Sequence, residues 1–198
     1  MIYIGIIAIG LIGAFLHFLY EISGRNKFVA FFAAVNESTW EHIKIGITPT
    51  LLWSLYDGYV YGLNDNYILA KSLSILSIIL LIPALFYTYT TFTKKSILVV
   101  DIICFNITII ISQLTFNYFV NIDSVPFIYT YFAYILLFIE ICAYAVLTYN
   151  PIENFMFKDP ISHKYGIEGH AEHHHHKKVQ NKKKVFTKEN WELQLLLG

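Results

Sequence analysis

The chain has little of what a disulfide-stapled or water-soluble protein needs. Its 198 residues include only two cysteines, Cys104 and Cys142. Both sit inside apolar runs without metal-ligand spacing, which excludes a secreted disulfide framework, and they read as small packing residues. Charge is scarce too. Charged residues make up 14% of the sequence, against about a quarter in soluble domains, so the surface is not built for water. The opening MIYIGIIAIG has no basic residue, and no small-x-small cleavage site follows. An uncleaved first span is expected there instead of a signal peptide. Compact metal motifs are missing as well, with no HExxH and no pair of Glu-x-x-His motifs.

What the chain does have is hydrocarbon. Hydrophobic residues account for 56% of it, and mean hydropathy is +0.53. Five apolar stretches, 2–20, 43–61, 67–92, 96–119 and 127–149, each approach the roughly 20 residues a helix needs to cross a bilayer. They are continuous and do not alternate with period two, which favours helices over a barrel. The expected fold class is all-α, a polytopic transmembrane helix bundle of five spans with a short interfacial helix. Residues 1–157 would form the membrane domain and 158–198 a basic tail. Pro49 and Pro83 fall within two spans, where a missing donor bends a helix.

Basic residues alternate along the connections. Arg25, Lys27 and Lys44 follow the first span, none lies in 62–66, Lys94 and Lys95 follow the third span, and none lies in 121–126. Eight lysines (Lys158, Lys164, Lys177, Lys178, Lys182, Lys183, Lys184 and Lys188) come after the last. The positive-inside rule then places the N-terminus outside and the C-terminal tail in the cytoplasm, in the cell (inner) membrane. Lipid is the expected partner and nucleic acid is not, because basic tails of this kind mark topology and meet anionic headgroups. Tyr56, Tyr59, Tyr61, Tyr67, Tyr118, Tyr129 and Tyr131 gather at the expected outer boundary, where amphipathic rings settle.

The segment KFVAFFAAVNESTWEHIKIG between the first two spans is too short and polar to be a sixth. Lys27–Val35 suits the short interfacial or re-entrant helix. Ser38 and Glu41 form a capping-box pattern opening the next span. With this topology His17, Glu21, Asn36, Glu37, Glu41, His42 and Asp101 come to one depth at the cytoplasmic face. His17 and Glu21 share a helix face at four-residue spacing, as Glu37 and Glu41 would in an early-starting helix. Imidazole and carboxylate together suit a divalent metal such as zinc, iron or manganese, with His17, Glu21, Glu41 and His42 as candidate ligands. The competing reading is a hydrogen-bonded network with Arg25, Lys27 and Lys44 that docks the segment.

Deeper in the membrane, Asp57 and Glu140 are candidate intramembrane acids. Asn106, Gln113 and Asn117 form one polar stripe on the fourth span, and Asp101, Thr108, Ser112 and Thr115 another. A route from Asp57 past Glu140 to Asp101 would suit protons or cations, whereas interhelical hydrogen bonding accounts for amides and hydroxyls at such places. In the tail, the histidines of HAEHHHHKK from His170 to Lys178 can bind metal adventitiously, and Val185–Leu197 suits an amphipathic helix.

Three stretches carry a family resemblance: HFLYEISGRNKFVAFFAAVNESTWEHIKIG from His17, FYTYT from Phe86, and KDPISHKYGI from Lys158. Over roughly residues 1–167 the chain resembles an uncharacterised family of small bacterial integral membrane proteins, a domain of unknown function. The resemblance implies a multi-spanning bacterial membrane protein and supplies no activity, substrate or cofactor. After Asp159–Pro160 that family usually has a Thr-Gly-type turn, where this chain has Ser162 and His163. Three function classes stay open: an ion, proton or solute transporter or accessory subunit, a membrane-embedded metal-dependent enzyme, and a structural or regulatory protein. Five spans contain no evident inverted repeat, so a transporter would need a homo-oligomer or a membrane partner.

Overall fold

The computed structural model describes residues 2–62, 64 and 66–169. Five long helices follow one another: α1 (Ile2–Ile22), α2 (Thr39–Tyr61), α3 (Tyr67–Thr93), α4 (Leu98–Asn121) and α5 (Phe127–Tyr149). Among the described residues the only extended pairing is an isolated bridge between Lys158 and Tyr165. The fold is an all-α transmembrane helix bundle. Short connections after α2 and α3 return each helix against the one before it, whereas α5 packs on α3. α3 is central, lying against α2, α4 and α5, while α1 lies against α2 and α4.

The surface of this bundle is apolar. Leu11, Phe15, Phe18, Ile102, Ile103, Phe138 and Ile139 all stand exposed, a pattern suited to lipid. α1, α3, α4 and α5 are both long and apolar enough to cross a membrane. Five such helices were expected and four meet that description. α2 is as long, at 23 residues, but carries Glu41, Lys44 and Asp57, which lower its hydropathy. All three are buried and ion-paired inside the bundle.

Where helices touch, small residues and hydroxyls do the joining, as is usual in membranes. Ser74 and Ser112 bond hydroxyl to hydroxyl across α3 and α4 at 2.7 Å. Pro49 has no N–H to give to the Ile45 carbonyl four residues earlier. α1 passes that carbonyl at Gly13, where a Cβ would lie 3.0 Å from the oxygen and 2.7 Å from the Phe105 ring. The proline of α2 and the glycine of α1 thus set a close approach one turn from His17. At the opposite end, Asn66 donates to the carbonyls of Ile122 and Asp123 (2.9 and 3.2 Å), tying the two connections together.

The expected interfacial helix contracts to one 3-10 turn, Val29–Phe31. Its carbonyls explain why it does not lie on the surface. Ala30 accepts from Lys44 Nζ (2.8 Å), Phe31 from the Tyr144 hydroxyl (2.7 Å), and Phe32 from the Thr48 hydroxyl (3.1 Å). The capping box does not form either. Ser38 is the N-cap of α2 but makes no side-chain cap bond. Its backbone N–H goes to Asn36 Oδ1 (2.8 Å), and Glu41 reaches past it to the Val35 N–H (2.9 Å).

Residues 151–169 fold back onto the start of α2. The Trp40 N–H donates to the Met156 carbonyl (3.0 Å), and Trp40 stacks on Phe157 with centroids 5.1 Å apart. Asp159, fully buried, closes the turn that follows it, accepting from the Ile161 and Ser162 N–H groups and the Ser162 hydroxyl (3.2, 2.6 and 2.7 Å). His163 in that turn has φ +61°, the left-handed region natural to glycine. His163→Gly is expected to raise unfolding stability by about 1 kcal/mol. Thermal unfolding of the detergent-solubilised protein would check this, and a lower midpoint would show that the imidazole makes up for its backbone.

Candidate metal centre

Three elements deliver side chains to one point at the end of the bundle where α1 stops and α2 starts. His17 comes from α1, five residues before its end at Ile22. Glu37 comes from the loop before α2, its backbone N–H held by Asp159 Oδ1 at 3.0 Å. His42 comes from the first turns of α2. His17 Nε2 lies 3.7 Å from Glu37 Oε2, and the two imidazole centroids are 5.6 Å apart. One potential ligand atom from each of His17, Glu37 and His42 lies within 4.8 Å of the others.

The chemistry of these donors fits a zinc-type ion. Tetrahedral ligands at about 2.1 Å from the metal are about 3.4 Å from one another. The trio therefore needs to close by roughly an ångström, and Glu37, half-exposed on a loop, is free to supply most of that. His42 is already oriented. Its Nδ1 lies 2.9 Å from the Ser38 carbonyl, and a carbonyl only accepts, so Nδ1 carries the proton and Nε2 the lone pair. Metal-binding imidazoles are usually held this way.

The other sequence candidates have other work. Glu21 pairs with Arg25 on the surface at 3.5 Å. Glu41 is turned inward to Lys44 at 2.6 Å, with the same carboxylate oxygen accepting from Val35. Neither joins the trio, so two of the four expected ligands fall away and Glu37 takes their place. The helix begins at Thr39, too late for Glu37 and Glu41 to share one of its faces. Asn36 stands behind the site as a clamp, its amide donating to the Gly166 carbonyl at 2.9 Å. Asp101 accepts from the hydroxyls of Tyr89 and of Ser96, the latter at 2.6 Å.

A small cleft opens beside Glu37 and His42. Glu37, His42, Thr39 and Asp101 form its polar part, and Ile82, Phe86, Cys104 and Phe105 its apolar wall. Asp101 thus faces the same space as the trio without belonging to it.

The intramembrane acids Asp57 and Glu140 have different surroundings. Asp57 is ion-paired with Lys71 at 2.7 Å, and the Lys71 ammonium lies 4.0 Å from the Phe116 ring centroid. Glu140 is only 5% exposed, and neither carboxyl oxygen has a hydrogen-bond partner among the described residues. The span-four stripes divide: Thr108, Ser112 and Gln113 are buried, whereas Asn106 is exposed and bonds its own helix at Ile102. Lys71 and Asp159 escaped the sequence reading. The one available signal for Lys71 was a solitary lysine in an apolar run; for Asp159 it was only a turn-forming Asp-Pro. The histidine tract and the Val185–Leu197 segment lie outside the described residues.

Fold and site together define a class: a membrane protein built as a transmembrane helical bundle, with a His-Glu-His cluster beside a cleft at one end. Over residues 1–167 the chain matches a family of unknown function (DUF6512), and it belongs to that family. No curated protein and no solved structure matches it.

Proposed function

We propose that the chain is a multi-pass metalloenzyme of the bacterial inner membrane, binding one divalent ion of the zinc type through His17, Glu37 and His42. The observation that carries this reading is the convergence of three ligand atoms from separate elements, with His42 oriented by the Ser38 carbonyl. Two histidines and one carboxylate are the donor set of catalytic zinc sites, which keep a fourth position for water or substrate. The cleft beside the trio is where that position would open. An ion there supplies a Lewis acid and an activated water for hydrolysis.

α2 is taken as the fifth crossing, since its charges are paired within the bundle and not presented to lipid. The site end then faces the cytoplasm, supported by exposed Arg25, Lys27, Lys94 and Lys95 there and by exposed Tyr59, Tyr118 and Tyr129 at the other end. Lys44 drops out of that tally because it is buried. A transport reading has less behind it, as Glu140 stands without a hydrogen-bonded chain to Asp57 or Asp101.

The test is metal content of full-length protein with His170 and His173–His176 changed to serine, which removes the tail's ligands. After exposure to zinc or cobalt and extensive washing, about one ion per chain is expected to remain. His17→Ala/His42→Ala should lose it, with an affinity drop beyond the ~10–100-fold typical of merely disturbing a ligand's outer partners. Equal metal in the double variant would defeat the proposal.

A further inference from the structure

We infer that the cleft receives an anionic membrane lipid, with its phosphate at the His17–Glu37–His42 centre and its hydrocarbon along Ile82, Phe86 and Phe105. This rests on the metal-centre reading above and names what that centre acts on.

The first support is depth. Asp101 lies three residues into α4, about 5 Å along the axis from its start at Leu98. His17 is about 8 Å from the end of α1. Ile82 is eleven residues before the end of α3 at Thr93, about 16 Å. These helix ends lie at the same end of the bundle, so the cleft runs from headgroup depth into the hydrocarbon layer. A water-soluble metabolite has no use for the inner half of such a space.

The second support is the division of the walls. Thr39, Asp101, Glu37 and His42 line the shallow part, and isoleucine and phenylalanine the deep part. Polar and apolar walls therefore fall in the order that an amphiphile presents its own halves. Outside the wall, Ile102 and Ile103 of α4 are exposed and continue the apolar surface toward the bilayer, so an acyl chain meets hydrocarbon along its whole length.

The third is charge. Arg25, Lys27, Lys94, Lys95 and Lys158 are exposed on the loops at this end. Cations so placed draw anionic headgroups toward the surface, and a phosphate oxygen is a hard donor that a zinc-type ion accepts readily. A zwitterionic headgroup would gain less from the same rim.

The experiment uses the full-length protein with the tail histidines replaced, loaded with zinc in bilayer nanodiscs. The probe is phosphatidic acid carrying a diazirine in its acyl chain. Labelling is expected on the peptides containing Ile82, Phe86 and Phe105, and to fall about tenfold when a bulky side chain fills the cleft in Cys104→Trp, or independently in Phe86→Trp. Phosphatidylcholine with the same diazirine should label those peptides less. Labelling spread over exposed helix faces and unchanged in both variants overturns the inference, as does equal labelling by phosphatidylcholine. Metal content of the same preparation separates the failures. Bound metal without cleft labelling removes the lipid alone, whereas absence of metal removes the centre and the headgroup placement with it.

Discussion

Lys71→Met is expected to lower the stability of the bundle by about 3–5 kcal/mol, while Asp57→Leu/Lys71→Met together should cost far less or even stabilise. The pair is almost completely buried, 2.7 Å from nitrogen to oxygen, between α2 and α3. Removing the ammonium alone leaves Asp57 charged in a wall formed by Trp53, Tyr61 and Phe116, where nothing else of opposite sign is at hand. It also strips the Phe116 ring of the cation lying 4.0 Å from its centre. Removing both charges eliminates the desolvation cost together with the attraction. Denaturant unfolding of the detergent-solubilised single and double variants would measure this. Equal losses in both would mean that the site needs the lysine's bulk and not its charge. Metal content should be unchanged in either, since the pair lies at the end of the bundle away from His17 and His42.

Long apolar runs made the helices legible. The fifth stretch, 127–149, coincides with α5, and the third, 67–92, stops one residue short of the end of α3. α2 starts at Thr39, directly after the expected N-cap Ser38 and four residues before its apolar run at 43, because Thr39, Trp40, Glu41 and His42 are polar or amphipathic and are covered by tertiary packing. The site was legible as a group of residue types at one depth, and less so as a set of ligands. Glu41 stood among the expected ligands, but an acid three residues before Lys44 in a buried first turn finds the lysine first. Glu37 lies outside the helix, so no periodicity marks its direction; a hydrogen bond from its backbone to Asp159, 122 residues away, holds it in place. Lys71 was hidden for the same reason, since its partner belongs to another helix and only the packing of α2 on α3 reveals it.

Lys44→Met should cost a comparable ~3–5 kcal/mol, and unlike Lys71→Met it should also loosen the metal centre. Lys44 has no solvent exposure, and its ammonium joins Glu41 Oε2 at 2.6 Å to the Ala30 carbonyl at 2.8 Å. The same Glu41 oxygen holds the Val35 N–H at 2.9 Å. One lysine and one glutamate therefore pin both ends of the stretch from Ala30 to Val35, two residues before Glu37. With the lysine gone, Glu41 is left charged among apolar residues, and the loop that carries Glu37 loses an anchor. Metal affinity is expected to fall by about 10–100-fold, the range seen when a ligand's outer supports are removed. The variant Glu41→Leu/Lys44→Met distinguishes the two effects. Stability should largely return because no unpaired charge remains, but affinity should not, because the Ala30 carbonyl and Val35 N–H stay without their partners. Titration of zinc into both variants reads this directly. An affinity equal to that of the unaltered protein would show that Asp159 and Asn36 alone hold Glu37 in place, and that the buried pair serves the fold and not the site.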